Sequence, residues 1–214
     1  MKKYVIFDLD GTLLDSMEVW EDFGNRFVSA HGCSPKPGLC EEIRAMSIEQ
    51  AADYLIEQYP LDMPKLELIK SANQMIEDMY AKDVELKPAV KTTLEKMKAA
   101  GIRMCIATAT DGSAVHSSLG RLGVIGYFDF ILTCSEIGYG KDQPHIYQEA
   151  ARRFGVPNQE IAVFEDSLHC VKTAKAAGFY VIGVYDKMSA GDTEEIQKIC
   201  DEYLYSFKEL DWNI

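Results

Sequence analysis

Five short apolar runs limit the folds open to this chain more than any other feature of its sequence. They occupy residues 4–7, 102–107, 128–132, 161–164 and 180–184, and each is rich in β-branched or aromatic side chains. A strand with one wet face alternates apolar and polar residues, whereas an uninterrupted apolar run suits a parallel strand covered on both faces. Between the runs lie helical patterns with stop signals. Ala89, Val90, Leu94, Met97 and Ala100 recur at helical spacing, with Pro88 at the start and Gly101 past the end; residues 167–177 behave likewise and meet Gly178. Strands alternating with helices predict a parallel α/β sheet.

One stretch breaks the alternation. Residues 16–85 carry only helical patterns: Trp20, Phe23 and Phe27 mark one amphipathic helix, and Ala51, Tyr54, Leu55 and Tyr59 a second. Leu66, Ile69, Met75, Ile76 and Met79 mark a third. A crossover needs far fewer residues, so the expected organisation is an α/β core from residues 1–15 and 86–214 with a helical subdomain, 16–85, inserted after the first strand. At 214 residues the chain is long enough for one core and such an insertion.

The charge balance sets 22 basic against 34 acidic residues, a net −12. That charge repels nucleic acid and anionic membrane surfaces, so neither is expected as a partner, while a divalent cation is tolerated. The six cysteines, Cys33, Cys40, Cys105, Cys134, Cys170 and Cys200, form no C-x-x-C pair. They are expected to be buried thiols in a reducing compartment. Met1-Lys2-Lys3 leads into only a short apolar run and no stretch is long enough to span a bilayer, so a cytoplasmic location is expected.

Ligands of open parallel sheets bind at the carboxyl ends of the strands. There the chain places Asp8-Leu9-Asp10-Gly11-Thr12 after the first strand, Thr108 before Ala109 and Thr110 after the second, and Glu165-Asp166-Ser167 after the fourth. Lys141 follows the third strand behind Gly138-Tyr139-Gly140. Clustered carboxylates need a cation, and oxygen-only ligands favour Mg2+ over zinc. A carboxylate nucleophile divides phosphate-ester hydrolysis into two easier steps, and a second carboxyl can protonate the leaving oxygen and then activate water. A lysine, a hydroxyl and backbone N–H groups suit the phosphoryl oxygens.

Taken together, Asp8-Leu9-Asp10-Gly11-Thr12, Thr108, Lys141 and Glu165-Asp166 resemble, in order, the four motifs of the haloacid dehalogenase superfamily. The likeness extends over essentially the whole chain, including Leu86-Lys87-Pro88, and is greatest to the branch of phosphoglycolate phosphatases and β-phosphoglucomutase. It implies a Rossmann-like parallel sheet of order 3-2-1-4-5 with an inserted all-α cap, and a magnesium-dependent phosphatase acting on a sugar phosphate or phosphoglycolate-like ester through an aspartyl-phosphate. The implied roles are Asp8 as nucleophile and metal ligand, and Asp10 as general acid/base with its backbone carbonyl on the metal. Asp166 would be a further ligand, with Glu165 in the metal's first or second shell. Thr108 and the Ala109 N–H would hold the phosphoryl group and Lys141 would neutralise charge. The cap would open and close about hinges near Asp15 and residues 83–86. Such an enzyme is expected to be a monomer or weak homo-oligomer.

The chain also departs from the family. Asp142-Gln143-Pro144-His145 stands where a Pro-x-Pro-Asp run is usual, and His169 and Cys170 replace small residues after the acidic pair. Arg44 is the nearest candidate for the basic cap residue with which β-phosphoglucomutases grip a distal phosphate. His31, His116 and His145 show no ligand pattern and are expected to be structural; His169 is expected on the first turn of a helix near the site. Two other classes of function remain open alongside the phosphatase and its phosphomutase variant: a receiver-like phospho-acceptor, and a non-catalytic phosphate-binding protein.

Overall fold

The computed structural model describes residues 2–43, 46 and 48–210. Arg44, the candidate cap residue, lies outside them. The described residues contain six strands: β1 Tyr4–Phe7, β2 Arg103–Thr108, β3 Phe130–Thr133, β4 Ile161–Glu165, β5 Tyr180–Val184 and β6 Glu202–Leu204. They form one sheet of order β3-β2-β1-β4-β5-β6, every pair parallel. In β1, Val5, Ile6 and Phe7 are fully buried, as a strand covered on both faces requires. One face packs Ile6, Leu132, Ile146, Phe154, Val163 and Val171 into a single core. On the other, Phe7 and Phe164 lie 4.7 Å apart and Phe207 stacks on Phe164 at 5.9 Å. Each fully buried side chain of this size contributes ~1.5–3 kcal/mol.

All five expected strands are present, β1 and β5 with their expected ends and the other three with ends moved by one or two residues. β2 runs one residue further than its apolar run and takes in Thr108, which pairs with Thr133 of β3. β6 is additional to the expected order. Glu-Tyr-Leu offers no apolar run to detect, and the strand depends on its neighbour: Val181 N donates to Asp201 Oδ2 at 2.8 Å and the Tyr180 hydroxyl to Glu202 at 2.5 Å.

The chain divides into two compact units, Met1–Met17 with Val84–Ile214, and Glu18–Asp83. Among the described residues the second unit has helices and no strand, with Phe23–Ala30, Leu39–Ile43, Ile48–Gln58 and Lys65–Lys82 packed around Phe27, Val28, Leu55 and Leu68. The stretch expected as its first helix is two, Met17–Glu21 and Phe23–Ala30. Between them Asp22 leaves helical geometry (φ −103°, ψ 2°); its side chain makes no cap bond to the backbone, and its carboxylate accepts from Asn25 Nδ2 at 3.0 Å. Leu66, expected on an apolar stripe, is 63% exposed. His31 bonds the Phe27 carbonyl through Nδ1 at 2.8 Å and Ser71 through Nε2 at 3.2 Å, and so is structural.

The helix Val90–Ala99 begins from Ala89, the one non-glycine at positive φ among the described residues (φ 66°). A left-handed alanine costs ~1–2 kcal/mol. Glycine removes that cost but adds unfolded-state freedom worth ~0.4–1 kcal/mol. Ala89→Gly is therefore expected to stabilise the protein by ~0.5–1 kcal/mol, read as a rise in Tm of about 1–4 °C in thermal unfolding. A fall in Tm would show that the alanine methyl contributes more than its backbone costs.

Candidate active site

The sheet changes direction at β1. The chain leaves β1 for β2 and β3 on one side and returns to β4 on the other, so the carboxyl ends of β1 and β4 flank the switch point at which open α/β sheets bind ligands. Asp8 N donates to the Phe164 carbonyl at 3.0 Å, extending the β1–β4 ladder by one residue beyond Phe7↔Phe164. That single bond sets Asp8 beside Glu165 and Asp166. One carboxylate oxygen from each of the three lies within 4.8 Å of the others, and all three residues are buried.

Lys141 reaches the same point from β3. Thr133 forms a capping box over the short helix Cys134–Ile137: its hydroxyl accepts from Glu136 N at 3.2 Å, and Glu136 accepts from Thr133 N at 3.2 Å. The capped turn and Gly138 (φ 81°) bring the chain round to Lys141, which is 7% exposed. Its ammonium donates to Asp8 and, at 2.8 Å, to Glu165. Glu165 Oε1 also accepts from the Tyr147 hydroxyl at 2.7 Å, while Glu165 Oε2 is buried without a hydrogen-bond partner.

The electrostatics follow from this crowding. Burial lifts Glu165 to about 7, with Lys141 pulling against it and Asp8 adding to it. Burial, then Asp8 and Glu165, hold Asp166 well above the usual carboxylate range. Burial disfavours the Lys141 ammonium, but Asp8 and Glu165 outweigh it and keep the group charged.

Asp10 stands apart from the three carboxylates. Its side chain accepts from the Ser16 hydroxyl at 2.6 Å and the Thr110 hydroxyl at 2.5 Å, which fix both oxygens. Thr108, buried at the end of β2, accepts from Thr110 N at 3.0 Å through its hydroxyl, and Ala109 lies on the exposed bend that follows. Asp8, Lys141, Glu165 and Asp166 are thus brought into one cluster, and Asp10 is tied to the Thr108–Thr110 turn. His169 opens the helix Leu168–Ala176, where it meets Ser167 and Cys170. His145 stacks on Tyr139 with ring centroids 3.9 Å apart. All six cysteines are free thiols, but only Cys105 and Cys170 are buried, and the other four are half-buried.

Ser16, Tyr147 and Ser189 belong to the site but were missed in the sequence. Tyr147 and Ser189 act at 18 and 23 residues' separation from the acids they touch, and no local pattern carries such contacts.

Gly11 has a necessity that can be tested. At φ 78°, a Cβ added there would stand 2.6 Å from Asp166 Oδ2. Gly11→Ala combines a left-handed backbone with a collision, and is expected to cost ~2–5 kcal/mol in thermal unfolding, since strain of ~1–2 kcal/mol is joined by overpacking of ~1–3 kcal/mol. A loss below 0.5 kcal/mol, on the order of an ordinary surface change, would show that the turn relaxes freely.

Several known proteins are similar to this chain. A phosphorylated carbohydrates phosphatase of Thermotoga maritima is 27% identical over 188 residues, 87% of each chain. A fructose-1-phosphate phosphatase of Escherichia coli is 24% identical over 84% of this chain and 95% of its own length. The crystal structure of CbbY from Rhodobacter sphaeroides in complex with xylulose-(1,5)bisphosphate has the same fold, with a TM-score of 0.79 at 24% identity over 98% of this chain and 96% of that one. Residues 5–184 match the haloacid dehalogenase-like hydrolases, more than half of the chain, and with the strand-end carboxylates in place this protein belongs to that family.

Proposed function

We propose that the protein is a magnesium-dependent phosphatase that hydrolyses a small phosphorylated metabolite, a sugar phosphate or phosphoglycolate-like ester, through an aspartyl-phosphate on Asp8. The observation that carries this reading is the contact of Lys141 with Asp8 inside a buried triad of carboxylates. A lone buried carboxylate would be expected to take up a proton; three together with one ammonium suit a hard divalent cation bound through oxygen. The buried, unpartnered Glu165 Oε2 fits such a cation as well. Asp8, Asp166 and Glu165 would hold it, with the Asp10 carbonyl. Magnesium there would supply charge neutralisation for the carboxylates and the phosphoryl oxygens.

The chain's own residues account for the remaining steps. Asp8 attacks phosphorus; a new P–O bond to its carboxylate forms as the bond to the ester oxygen breaks. Asp10, protonated, gives its proton to that leaving oxygen. In the second half a water attacks phosphorus and passes a proton to Asp10, releasing phosphate and restoring Asp8. Ser16 and Thr110 hold the Asp10 carboxyl in orientation through its two oxygens. The Thr108 hydroxyl and the Ala109 N–H bind the transferring oxygens, and Lys141 offsets their charge. The helical unit Glu18–Asp83 is proposed to serve as the cap.

The substrate class draws on the relatives, two of which are named for phosphorylated carbohydrates and fructose 1-phosphate. A net charge of −12 favours a small ester over nucleic acid or an anionic membrane, and no helix of the described residues is long and apolar enough to cross a membrane. The test is phosphate release from a panel of sugar phosphates and phosphoglycolate, with magnesium and with a chelator. Magnesium-dependent release is expected. Isomerisation of β-glucose 1-phosphate without release would assign the phosphomutase reaction instead, and neither activity on any ester would overturn the enzymatic reading.

A further inference from the structure

Asp166 is gripped by groups outside the four motifs. Its Oδ2, the same atom that a Cβ at Gly11 would meet, accepts from the Ser189 hydroxyl at 3.1 Å. Ser189 ends a loop that leaves β5, and that loop is pinned at its root. Asp186, 4% exposed, accepts from Met188 N at 2.8 Å and pairs with Lys87 Nζ at 2.7 Å. The same ammonium donates to the Tyr185 carbonyl at 2.7 Å. Lys87 is itself anchored: its N–H donates to the Leu13 carbonyl at 2.9 Å, beside the Leu14–Leu86 bridge and the bond from Asp15 N to the Glu85 carbonyl. A closed circuit therefore runs from the turn after Asp10, through Lys87 and Asp186, to Ser189 and Asp166.

We propose that Lys87 and Ser189 are positioning residues for Asp166: the Lys87–Asp186 ion pair fixes the loop of residues 185–189, so that the Ser189 hydroxyl holds one oxygen of Asp166 and leaves the other for the cation. This rests on the metal-dependent reading above. A carboxylate with one oxygen tethered loses less rotational freedom when it binds, and groups that hold a metal's ligands typically contribute about 10–100-fold to its affinity. Lys87 performs the tethering indirectly, because Asp186 without its ammonium is a buried unpaired charge and the loop must move to hydrate it.

The experiment is calorimetric titration of magnesium into the full-length, substrate-free protein, for wild type, Ser189→Ala, Ser189→Thr, Lys87→Met and the double variant Ser189→Ala/Lys87→Met. Ser189→Ala and Lys87→Met are each expected to weaken magnesium about 10-fold, with threonine restoring it to within about 2-fold of wild type. The double variant should be little weaker than either single one, since both act through one loop. KM for the ester at saturating magnesium should stay within about 2-fold of wild type. Ser189 is half-exposed, so its alanine variant carries the test even if Lys87→Met fails to fold. Magnesium affinity unchanged in Ser189→Ala overturns the inference and leaves the metal reading standing. Wild-type protein that binds no magnesium overturns both.

Discussion

Asp8→Asn is expected to lower turnover of the best phosphate ester by on the order of 10^4-fold or more while the protein stays folded and still binds that ester. Asparagine fills the same volume, and its backbone can keep the bond from residue 8 N to the Phe164 carbonyl that joins β1 to β4. What it lacks is a nucleophilic oxygen. A loss confined to charge balance would show in magnesium affinity and be relieved by excess metal; loss of the nucleophile is not. Stability should change little. Lys141 exchanges one charged acceptor for a neutral amide oxygen and keeps Glu165, and one of three mutually repelling carboxylates is gone. The measurements are phosphate release at saturating magnesium, ester binding by calorimetry and Tm. Turnover within 10-fold of wild type would remove Asp8 from the chemistry and with it the aspartyl-phosphate route.

The sheet could be anticipated because parallel strands covered on both faces have to be continuously apolar, and β1 and β5 occur where their runs stand in the sequence. β6 could not be. Its three residues carry no run, and its backbone ladder with β5 is reinforced by side chains of Asp201 and Glu202 that look like ordinary surface acids. The same division separates the parts of the site. Asp8, Asp10, Thr108, Glu165 and Asp166 stand at or just past strand ends, and strand ends can be located from the sequence, so their placing on one rim follows from topology, whereas Lys141 needs the capped turn Cys134–Ile137 to reach it. Ser16, Tyr147, Lys87 and Ser189 meet those residues through side-chain reach and loop path. Nothing in local spacing encodes that a tyrosine on the helix His145–Phe154 will share the Glu165 oxygen that Lys141 holds. The break in the first helix of the inserted unit is equally hidden: the apolar period runs unbroken through Asp22, where the backbone leaves helical geometry without a side-chain cap.

Lys141→Met tests the other half of the electrostatic argument, and its largest effect is on the folded state. Methionine keeps the length of the side chain in a position that is 7% exposed, so packing is nearly conserved and the change removes charge. Asp8 and Glu165 are left without the ammonium that contacts both. Two like charges about 4 Å apart repel by ~4 kcal/mol at an effective dielectric of 20, and breaking a buried pair typically costs ~3–5 kcal/mol. Stability of the metal-free variant at pH 8 is therefore expected to fall by ~3–5 kcal/mol, a loss in Tm of roughly 6–20 °C. The deficit should depend on pH in a definite direction. Burial already holds Glu165 at about 7, above its unfolded value, and the pull of Lys141 is what restrains it. A carboxyl whose folded pKa is raised binds its proton more tightly in the native state, so its charge costs stability as pH rises from the unfolded toward the folded pKa. Without Lys141 that window widens upward. The variant should accordingly lie closer to wild type at pH 5.5 than at pH 8, and added magnesium should recover part of the difference at pH 8 by supplying the missing positive charge. Turnover is expected to stay down by about 10^3-fold even in the metal-stabilised variant, because no ammonium then faces the transferring phosphoryl group. Equal Tm values for variant and wild type at pH 8, with or without magnesium, would mean that the three carboxylates do not share charge in the folded protein, and the cation they are proposed to hold would lose its physical reason.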